Sequence, residues 1–445
     1  MNGSTVRMPA FTLILIGAAL ILYLIGKLIA VEYLFFAGYT VLHFVVLATA
    51  WNILGGYCGY VNFGSAAFFA LGAYSSVALH KFDASIDRWF PDPVAAALHV
   101  VFPLPIPILV LFGGFVSAVV GLGTGYLTLR LRGAFFAIAT LALAVVLQTL
   151  IINWDYVGGS RGAYIIRPSE FVLGGLRLSY IQYLFLIMLA LSVIAISMAR
   201  TIERSKLGYG FATIRDDELA AEASGVPTLR LKLTATTLSG MLMGMAGAPF
   251  PYYIGYLEPS SAFGLAYAVN SIAMPMIGGT TTWLGPLIGA LLLGTLQQVA
   301  TVTISSAVNL LLVGVLLVSF VIIAPNGIVG EREPHKRLGI AALIVAIFAA
   351  FVPDYGVYAG WFSLALVAMA VLYGDRAFVI LVLGISVLHY LYFQPVLLIV
   401  DGSVPALVVF TVAMLLVPLA AVVLHSAGKL TLGQKSVGRP QGERR

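Results

Sequence analysis

Long apolar runs alternate with short polar segments along almost the whole chain. A helix needs roughly 20 apolar residues to cross a bilayer, and about fourteen runs approach that length. The pattern predicts an all-α, polytopic membrane helix bundle, with about 10 core spans and about 4 more near the C-terminus. In chain order the runs are residues 11–30, 33–54, 55–79, 104–129, 133–152, 179–199, 233–254, 262–278, 284–304, 307–324, 340–352, 358–373, 377–400 and 404–425.

The same pattern divides the chain into a core, a further apolar block and a tail. The core covers residues 1–330 and ends in a polar, basic stretch. Residues 331–428 are predicted to form an additional C-terminal transmembrane block. The final residues, 429–445, are polar and basic, which predicts a disordered tail.

One polar segment, residues 203–226, interrupts the apolar pattern more strongly than any other, and we name it the polar island. Each of its charges would cost about 2.5–3.5 kcal/mol at the centre of a bilayer, so the island is predicted to be a loop in water. Asp216 to Ala223 is predicted as a short helix with acids at its start, ended by Gly225 and Pro227. Such a helix could insert into a groove on a soluble partner. A solvated surface helix is the alternative. The charged residues are Glu203, Arg204, Lys206, Arg215, Asp216, Asp217, Glu218 and Glu222.

A second unusual segment, residues 55–79, is apolar but rich in glycine. Glycines let helix backbones pack closely in lipid, and they also mark broken or re-entrant helices beside a cavity. Both interpretations stay open, with Asn62 and Ser65 as candidate polar contacts. Two polar segments, 81–99 and 153–178, are predicted to be loops.

Composition places the chain in the membrane class. It is 61% hydrophobic and 9% charged, whereas soluble proteins carry about 25% charged residues. The net charge of +6 comes from loops between spans, which indicates anionic lipid rather than nucleic acid as the partner. The N-terminal apolar run lacks a small-residue cleavage site and is interpreted as a first span. The basic clusters fall on one predicted side, which makes the polar island cytoplasmic.

Several chemistries are missing from the sequence. Both Gly-Lys pairs are followed by leucine, so no Walker A phosphate loop is present. The single cysteine, Cys58, excludes an intrachain disulfide, and the six scattered histidines form no metal-binding pattern. Acidic residues fall at or near span ends, which disfavours a proton-driven carrier. The chain is therefore not expected to be an enzyme.

Five stretches of the chain follow one another in a distinctive order: NILGGYCGYVNFGSAAFFALGAY (52–74), LRGAFFAIATLALAVVLQTLIINWDYVGGSRG (131–162), GYGFATIRDDELAAEASGVPTLRLK (208–232), LSGMLMGMAGAPFPYYIGYLEPSSAF (238–263) and MIGGTTTWLGPLIGA (276–290). Together they resemble the M-type permease subunit of bacterial high-affinity branched-chain amino acid ABC transporters. The resemblance covers roughly residues 40–325. Block 331–428 lies outside it, and Gly210 and Phe211 depart from the family loop.

The resemblance implies an importer for branched-chain or similar small neutral amino acids, amides or urea, in the bacterial inner membrane. It implies cytoplasmic ATP-binding subunits, a second permease in a heterodimer and a periplasmic substrate-binding protein. This chain would hold no cofactor, because ATP and Mg would bind the partner ATPase. The self-contained secondary carrier or channel remains the alternative.

The resemblance also assigns roles within the polar island, which would be the coupling loop to the ATPase. Leu219, Ala220 and Ala221 would face the ATPase, and Gly208 and Gly225 would bound the element. The acids would set the helix start. The matching positions are Gly208, Arg215, Asp216, Glu218, Ala220, Ala221 and Gly225.

Four further residues are candidates for the translocation pathway. They are Tyr57, Asn62, Ser65 and Tyr74, in or near the glycine-rich segment. A purely structural role in helix packing is the alternative for each of them.

Overall fold

The computed structural model describes residues 8–29, 32–83, 85–165, 170–173, 176–303 and Gly327. The described residues up to Thr295, together with Gly327, belong to one compact unit, whereas the end of the last helix belongs to a second. The predicted run 307–324, block 331–428 and tail 429–445 lie outside the described residues.

Helices dominate the described part of the chain. The first seven are α1 (Met8–Ile29), α2 (Glu32–Gly55), α3 (Ser65–Asp83), α4 (Ile86–Trp89), α5 (Asp92–His99), α6 (Ile106–Thr128) and α7 (Ala134–Ile152). The next eight are α8 (Tyr180–Glu203), α9 (Lys206–Asp216), α10 (Glu218–Ala223), α11 (Thr228–Gly247), α12 (Phe250–Ile254), α13 (Pro259–Ala262), α14 (Leu265–Gly278) and α15 (Leu284–Thr303).

Six stretches of the described residues are long and apolar enough to cross a membrane. This makes the chain a multi-pass, largely helical membrane protein. The six stretches do not test the predicted total of about fourteen spans, because several predicted runs lie outside the described part. The stretches are Phe11–Leu28, Glu32–Gly55, Ile106–Thr128, Ala134–Ile152, Tyr180–Glu203 and Pro259–Gly278.

Helix α11 is less apolar than these spans but lies at the centre of the bundle. It packs against α6, α3, α2 and α8. Glycines make this possible: a Cβ on Gly72 would approach the Gly244 carbonyl oxygen to 2.0 Å, and one on Gly244 would approach Ser117 Oγ to 2.2 Å. At Gly72, therefore, the glycine-rich segment serves close helix packing, one of the two interpretations left open by the sequence.

Some predicted boundaries are wrong. The run 55–79 is divided into a non-helical turn at 56–64 and α3. The run 233–254 is divided into α11 and α12, because Pro249 and Pro251 cannot donate the backbone hydrogen bonds of a continuous helix. The predicted loop 81–99 contains α4 and α5.

The all-α prediction omits two small antiparallel sheets. Strand β1 (Ala163–Tyr164) pairs with β4 (Tyr256–Leu257), with Ala163 opposite Leu257. Strand β2 (Glu170–Leu173) pairs with β3 (Leu176–Ser179). Strands β1, β2 and most of β3 lie in segment 153–178, which the sequence predicts to be a loop, whereas β4 lies between the predicted runs 233–254 and 262–278.

Candidate functional site

The polar island is two consecutive helices rather than a loop with one helix. Helix α9 occupies Lys206–Asp216 and α10 occupies Glu218–Ala223. Asp217 separates them, because its backbone is extended while its carboxylate accepts hydrogen bonds from the amides of Leu219 at 2.9 Å and Ala220 at 3.1 Å. This is an N-cap, so the predicted helix begins two residues later than Asp216.

Gly225 ends α10 as predicted. Its φ is +81°, a left-handed conformation that glycine adopts without steric cost. The Gly225 amide donates to the Glu222 carbonyl at 2.9 Å, and the Val226 amide donates to the Ala221 carbonyl at 3.0 Å. These two bonds form the Schellman motif, which satisfies carbonyls left unpaired at the helix end.

A buried ion-pair network, which we name the Glu218 network, attaches α10 to the bundle. Lys232 of α11 is 3% exposed, and its ammonium donates to Glu218 Oε1 at 2.7 Å. The same ammonium donates to the Leu129 carbonyl at 3.1 Å and to the Tyr60 hydroxyl at 3.2 Å. The Tyr60 hydroxyl donates to the other Glu218 oxygen, and Arg132 Nε lies 3.5 Å from Oε1. One carboxylate thus joins α10, α11 and the two turns at 56–64 and 129–133.

A more exposed ion pair flanks this network. Arg132 donates to both carboxylate oxygens of Glu222, at 3.3 and 3.2 Å. The Thr228 hydroxyl also donates to Glu222, at 2.9 Å. Both acids of α10 are therefore held by groups outside that helix, and α10 has a fixed orientation on the bundle.

The electrostatics of Glu218 favour its charged form. Burial raises the pKa of this carboxyl, but hydrogen bonds from Lys232 and Tyr60 and the charges of Lys232 and Arg132 outweigh burial and lower it below its ordinary value of 4.5. Because a carboxylate accepting several hydrogen bonds stays ionised, the network is charged at neutral pH.

Close backbone contacts attach α9. A Cβ on Gly208 would approach the Ile202 carbonyl oxygen to 2.3 Å, so only glycine allows α9 to follow the end of α8 this closely. Arg215 donates to the Gly56 carbonyl at 3.5 Å, and its Cγ would lie 3.0 Å from a Cβ on Gly59. Asp216 is exposed and pairs only with the neighbouring Arg215 at 3.4 Å among the described residues.

Two of the three residues of α10 that were expected to face a partner are exposed, and the third is buried. Leu219 is 63% exposed and Ala220 is exposed, so both are available to a partner. Ala221 is 4% exposed and points into this chain. A role for Ala221 in facing a partner is therefore corrected: the network that holds Glu218 turns the neighbouring face of the short helix inward.

A cleft of about 340 Å³ opens beside the Glu218 network. Its lining comes from the turn at 59–61, from the start of α7 and from Glu218. The end of the bundle that carries the polar island is thus also the end where the 56–64 turn and α7 leave an opening.

The four pathway candidates are placed as follows. Tyr57, Asn62 and Ser65 are buried, and each makes a hydrogen bond within the chain. The Tyr57 hydroxyl donates to the Ala199 carbonyl at 3.5 Å, and the Asn62 carboxamide oxygen accepts from the Gly64 amide at 2.7 Å. The Ser65 hydroxyl lies 2.9 Å from the Ser271 hydroxyl. Tyr74 borders a separate apolar cleft of about 640 Å³ between α3, α6 and α7. A pathway role for these residues stays a prediction.

Sequence reasoning missed Lys232, Tyr60 and Arg132 as partners of Glu218. The one available signal was Lys232 itself, a charge that borders the apolar run beginning at residue 233. A lysine at that position needs a partner if it is buried, and the acids of the island were the nearest candidates in sequence.

Comparison with known proteins decides the family. Residues 33–321 match the family model described as the permease component of the branched-chain amino acid transport system. The chain belongs to this permease family.

Relatives of the permease agree with that assignment. LivM, the high-affinity branched-chain amino acid transport system permease protein of Salmonella typhimurium, is 27% identical over 317 residues, covering 66% of this chain and 69% of LivM. LivM of Escherichia coli is 26% identical over the same shares. A probable branched-chain amino acid permease, LivH of Methanocaldococcus jannaschii, is 24% identical over 62% of this chain and 85% of its own.

Shorter matches include permeases named for ribose, L-arabinose and autoinducer 2. No solved structure matches the chain. The relatives are transport components and not enzymes, which supports the expectation that this chain is not one.

Proposed function

We propose that this permease is a subunit of an ABC importer and that the polar island is its coupling element to a cytoplasmic ATPase. One observation carries the proposal: the Glu218 network joins a short helix with an exposed Leu219 to α11, the central helix of the bundle. A partner that moves α10 therefore acts on the bundle interior through the 2.7 Å contact between Glu218 and Lys232.

The contacts of the Glu218 network indicate how a movement of α10 would be transmitted to the bundle. A displacement of α10 reaches α11 through Lys232 and reaches the turn at 56–64 through Tyr60. Arg215 adds a second contact with that turn at Gly56. Because the turn connects α2 to α3, a displacement of α10 reaches α2, α3 and α11 together.

The partners follow from the permease family. Cytoplasmic ATP-binding subunits would bind ATP and Mg, and this chain would hold neither. A second permease would complete a heterodimer, and a periplasmic binding protein would deliver substrate. The location is the bacterial inner membrane.

The substrate class is that of branched-chain or similar small neutral amino acids. The two LivM relatives carry names that specify branched-chain amino acids, and they match a larger share of this chain than the sugar-permease relatives do. Amides and urea remain within the proposed class.

Uptake measurements in cells test the proposal. Radiolabelled leucine uptake that requires this chain should stop when ATP is depleted and should continue when an uncoupler dissipates the proton gradient while ATP is maintained. Uptake that stops with the uncoupler and survives ATP depletion would overturn the proposal in favour of a gradient-driven carrier.

A further inference from the structure

An aromatic cluster surrounds a buried histidine inside the bundle. His43 is 2% exposed, and its ring lies 5.0 Å from that of Phe69 and 5.6 Å from that of Phe250, measured between centroids. Tyr39, one helical turn earlier, stacks on Tyr253 at 4.1 Å. The cluster consists of Tyr39, His43, Phe69, Phe250, Tyr253 and Tyr267.

His43 lies near the middle of α2, a helix long and apolar enough to cross a membrane. At a rise of about 1.5 Å per residue, His43 is roughly 17 Å from either end of α2. Ionisable side chains at such depth are costly and usually serve transport. Phe250 and Tyr253 come from α12, directly after the break that follows α11. Helix breaks near the bilayer midplane are where transporters build substrate sites.

Two polar atoms of the cluster have no hydrogen-bond partner among the described residues. They are the Tyr39 hydroxyl and His43 Nε2, and both are buried. The neighbouring Tyr253 hydroxyl, by contrast, has hydrogen-bond partners. It lies 2.9 Å from the Thr40 hydroxyl and donates to the Phe36 carbonyl at 3.2 Å. Buried polar groups are paired in nearly all native proteins, and these two unpaired atoms share one face of α2 with the aromatic rings, so both are available to bind a ligand there.

We propose that the aromatic cluster recognises the small neutral amino acid carried by the proposed importer, within its translocation pathway. The Tyr39 hydroxyl and the Nε2–H tautomer of His43 donate to its carboxylate. The ring faces receive the ammonium group and the apolar side chain. The rings pack closely in this structure, so the site is closed and opens during transport. This inference rests on the proposed importer function.

Cysteine accessibility tests whether the cluster opens. The experiment uses the whole importer complex in proteoliposomes, with Cys58→Ala to remove the native thiol. His43→Cys should react with a small methanethiosulfonate reagent at least about tenfold faster during ATP turnover, and leucine should slow that reaction. Val45→Cys is the matched control, because Val45 is 1% exposed on the opposite face of α2 and should stay unreactive.

A second pair of variants tests the hydroxyl. Tyr39→Phe keeps the ring but removes the donor, so leucine uptake should fall about tenfold, as expected for one lost hydrogen bond to a charged group. Tyr252→Phe, which removes a buried hydroxyl near His80 instead, should transport normally.

Three results would overturn the proposal. His43→Cys could be as unreactive as Val45→Cys, or ribose and not leucine could protect His43→Cys from the reagent. The third is leucine uptake by Tyr39→Phe at the wild-type rate. Failure of the importer function would show separately, as wild-type uptake that does not need ATP.

Discussion

At the scale of single residues, Glu218 is both an acid at the start of α10, as predicted, and a junction between α10 and the bundle. The sequence places acids at the beginning of a short helix, and that was their predicted role. In the structure, Asp217 caps the helix, and Glu218 accepts hydrogen bonds from Lys232 and Tyr60. Propensity arguments see neighbours along one helix, whereas these partners are 14 and 158 positions away, so local spacing could not identify them.

Lys232→Met tests that junction. Removing Lys232 takes away the closest cation of Glu218, whose partly exposed carboxylate keeps Tyr60 and Arg132, so the expected loss is about 1–3 kcal/mol of stability. We expect a clearly lower thermal midpoint for the purified protein in detergent and loss of transport. Arg230→Met, two residues earlier and exposed, is the control and should change little. The double variant Lys232→Met/Glu218→Gln should recover part of the midpoint. A single variant as stable as wild type would contradict the network.

A second residue-scale prediction concerns pH. His99 of α5 lies 2.9 Å from Asp87 and 3.4 Å from Asp83. The hydrogen bond with Asp87 is the main cause that raises the pKa of His99 above 6.5. The charged contact is therefore fully present below about pH 6.5 and is lost as pH rises through the raised pKa.

Histidine NMR of the labelled protein measures this directly. The pKa of His99 should lie above 6.5 and should fall in Asp87→Asn, whereas Asp92→Asn on the same helix should leave it unchanged. A His99 resonance that titrates at or below 6.5 in the wild type would refute the contact.

At the scale of elements, the sequence predicted the position of the polar island but not its folding into two consecutive helices. Its charge density predicts a segment outside the lipid, and Gly225 correctly predicted the end of its second helix. Helix α9 was missed because Gly208 and Gly210 lower helix propensity. Gly208 is required by the approach of α9 to the end of α8, a tertiary contact that the sequence does not reveal. The inward face of Ala221 was missed for the same reason.

Substitutions at Gly225 test whether the Schellman motif matters for coupling. An added Cβ would meet nothing within 4 Å, so any effect comes from the φ of +81°. Gly225→Val should destabilise the end of α10 by about 1–3 kcal/mol and reduce transport, because β-branched residues avoid this conformation. Gly225→Asn should retain most transport, since asparagine tolerates it. Equal uptake by the two variants would argue against a backbone requirement.

At the scale of the whole molecule, the alternation of apolar and polar segments predicted the membrane class and the positions of most spans in the described part of the chain. Helices α2, α6, α7 and α8 begin and end within a few residues of the predicted runs. The central place of α11 could not be predicted, because its polar residues make it resemble a peripheral segment. Its glycine contacts let α11 approach α3 and α6 closely, which contributes to its burial.

The central claim also concerns the whole molecule: the exposed face of α10 docks on a partner ATPase. Pull-down of the tagged chain from native membranes in mild detergent tests it most directly. Wild type should recover an ATPase and a second permease. Leu219→Arg should lose the ATPase alone, because it places a charge on the exposed apolar position of α10 while leaving the Glu218 network intact.

Val100→Arg provides the matched control, since Val100 is 86% exposed but follows α5, away from the island. It should recover both partners. Recovery of the ATPase with Leu219→Arg at the wild-type level would contradict docking through α10, and a wild-type chain that recovers no ATPase would contradict the importer itself.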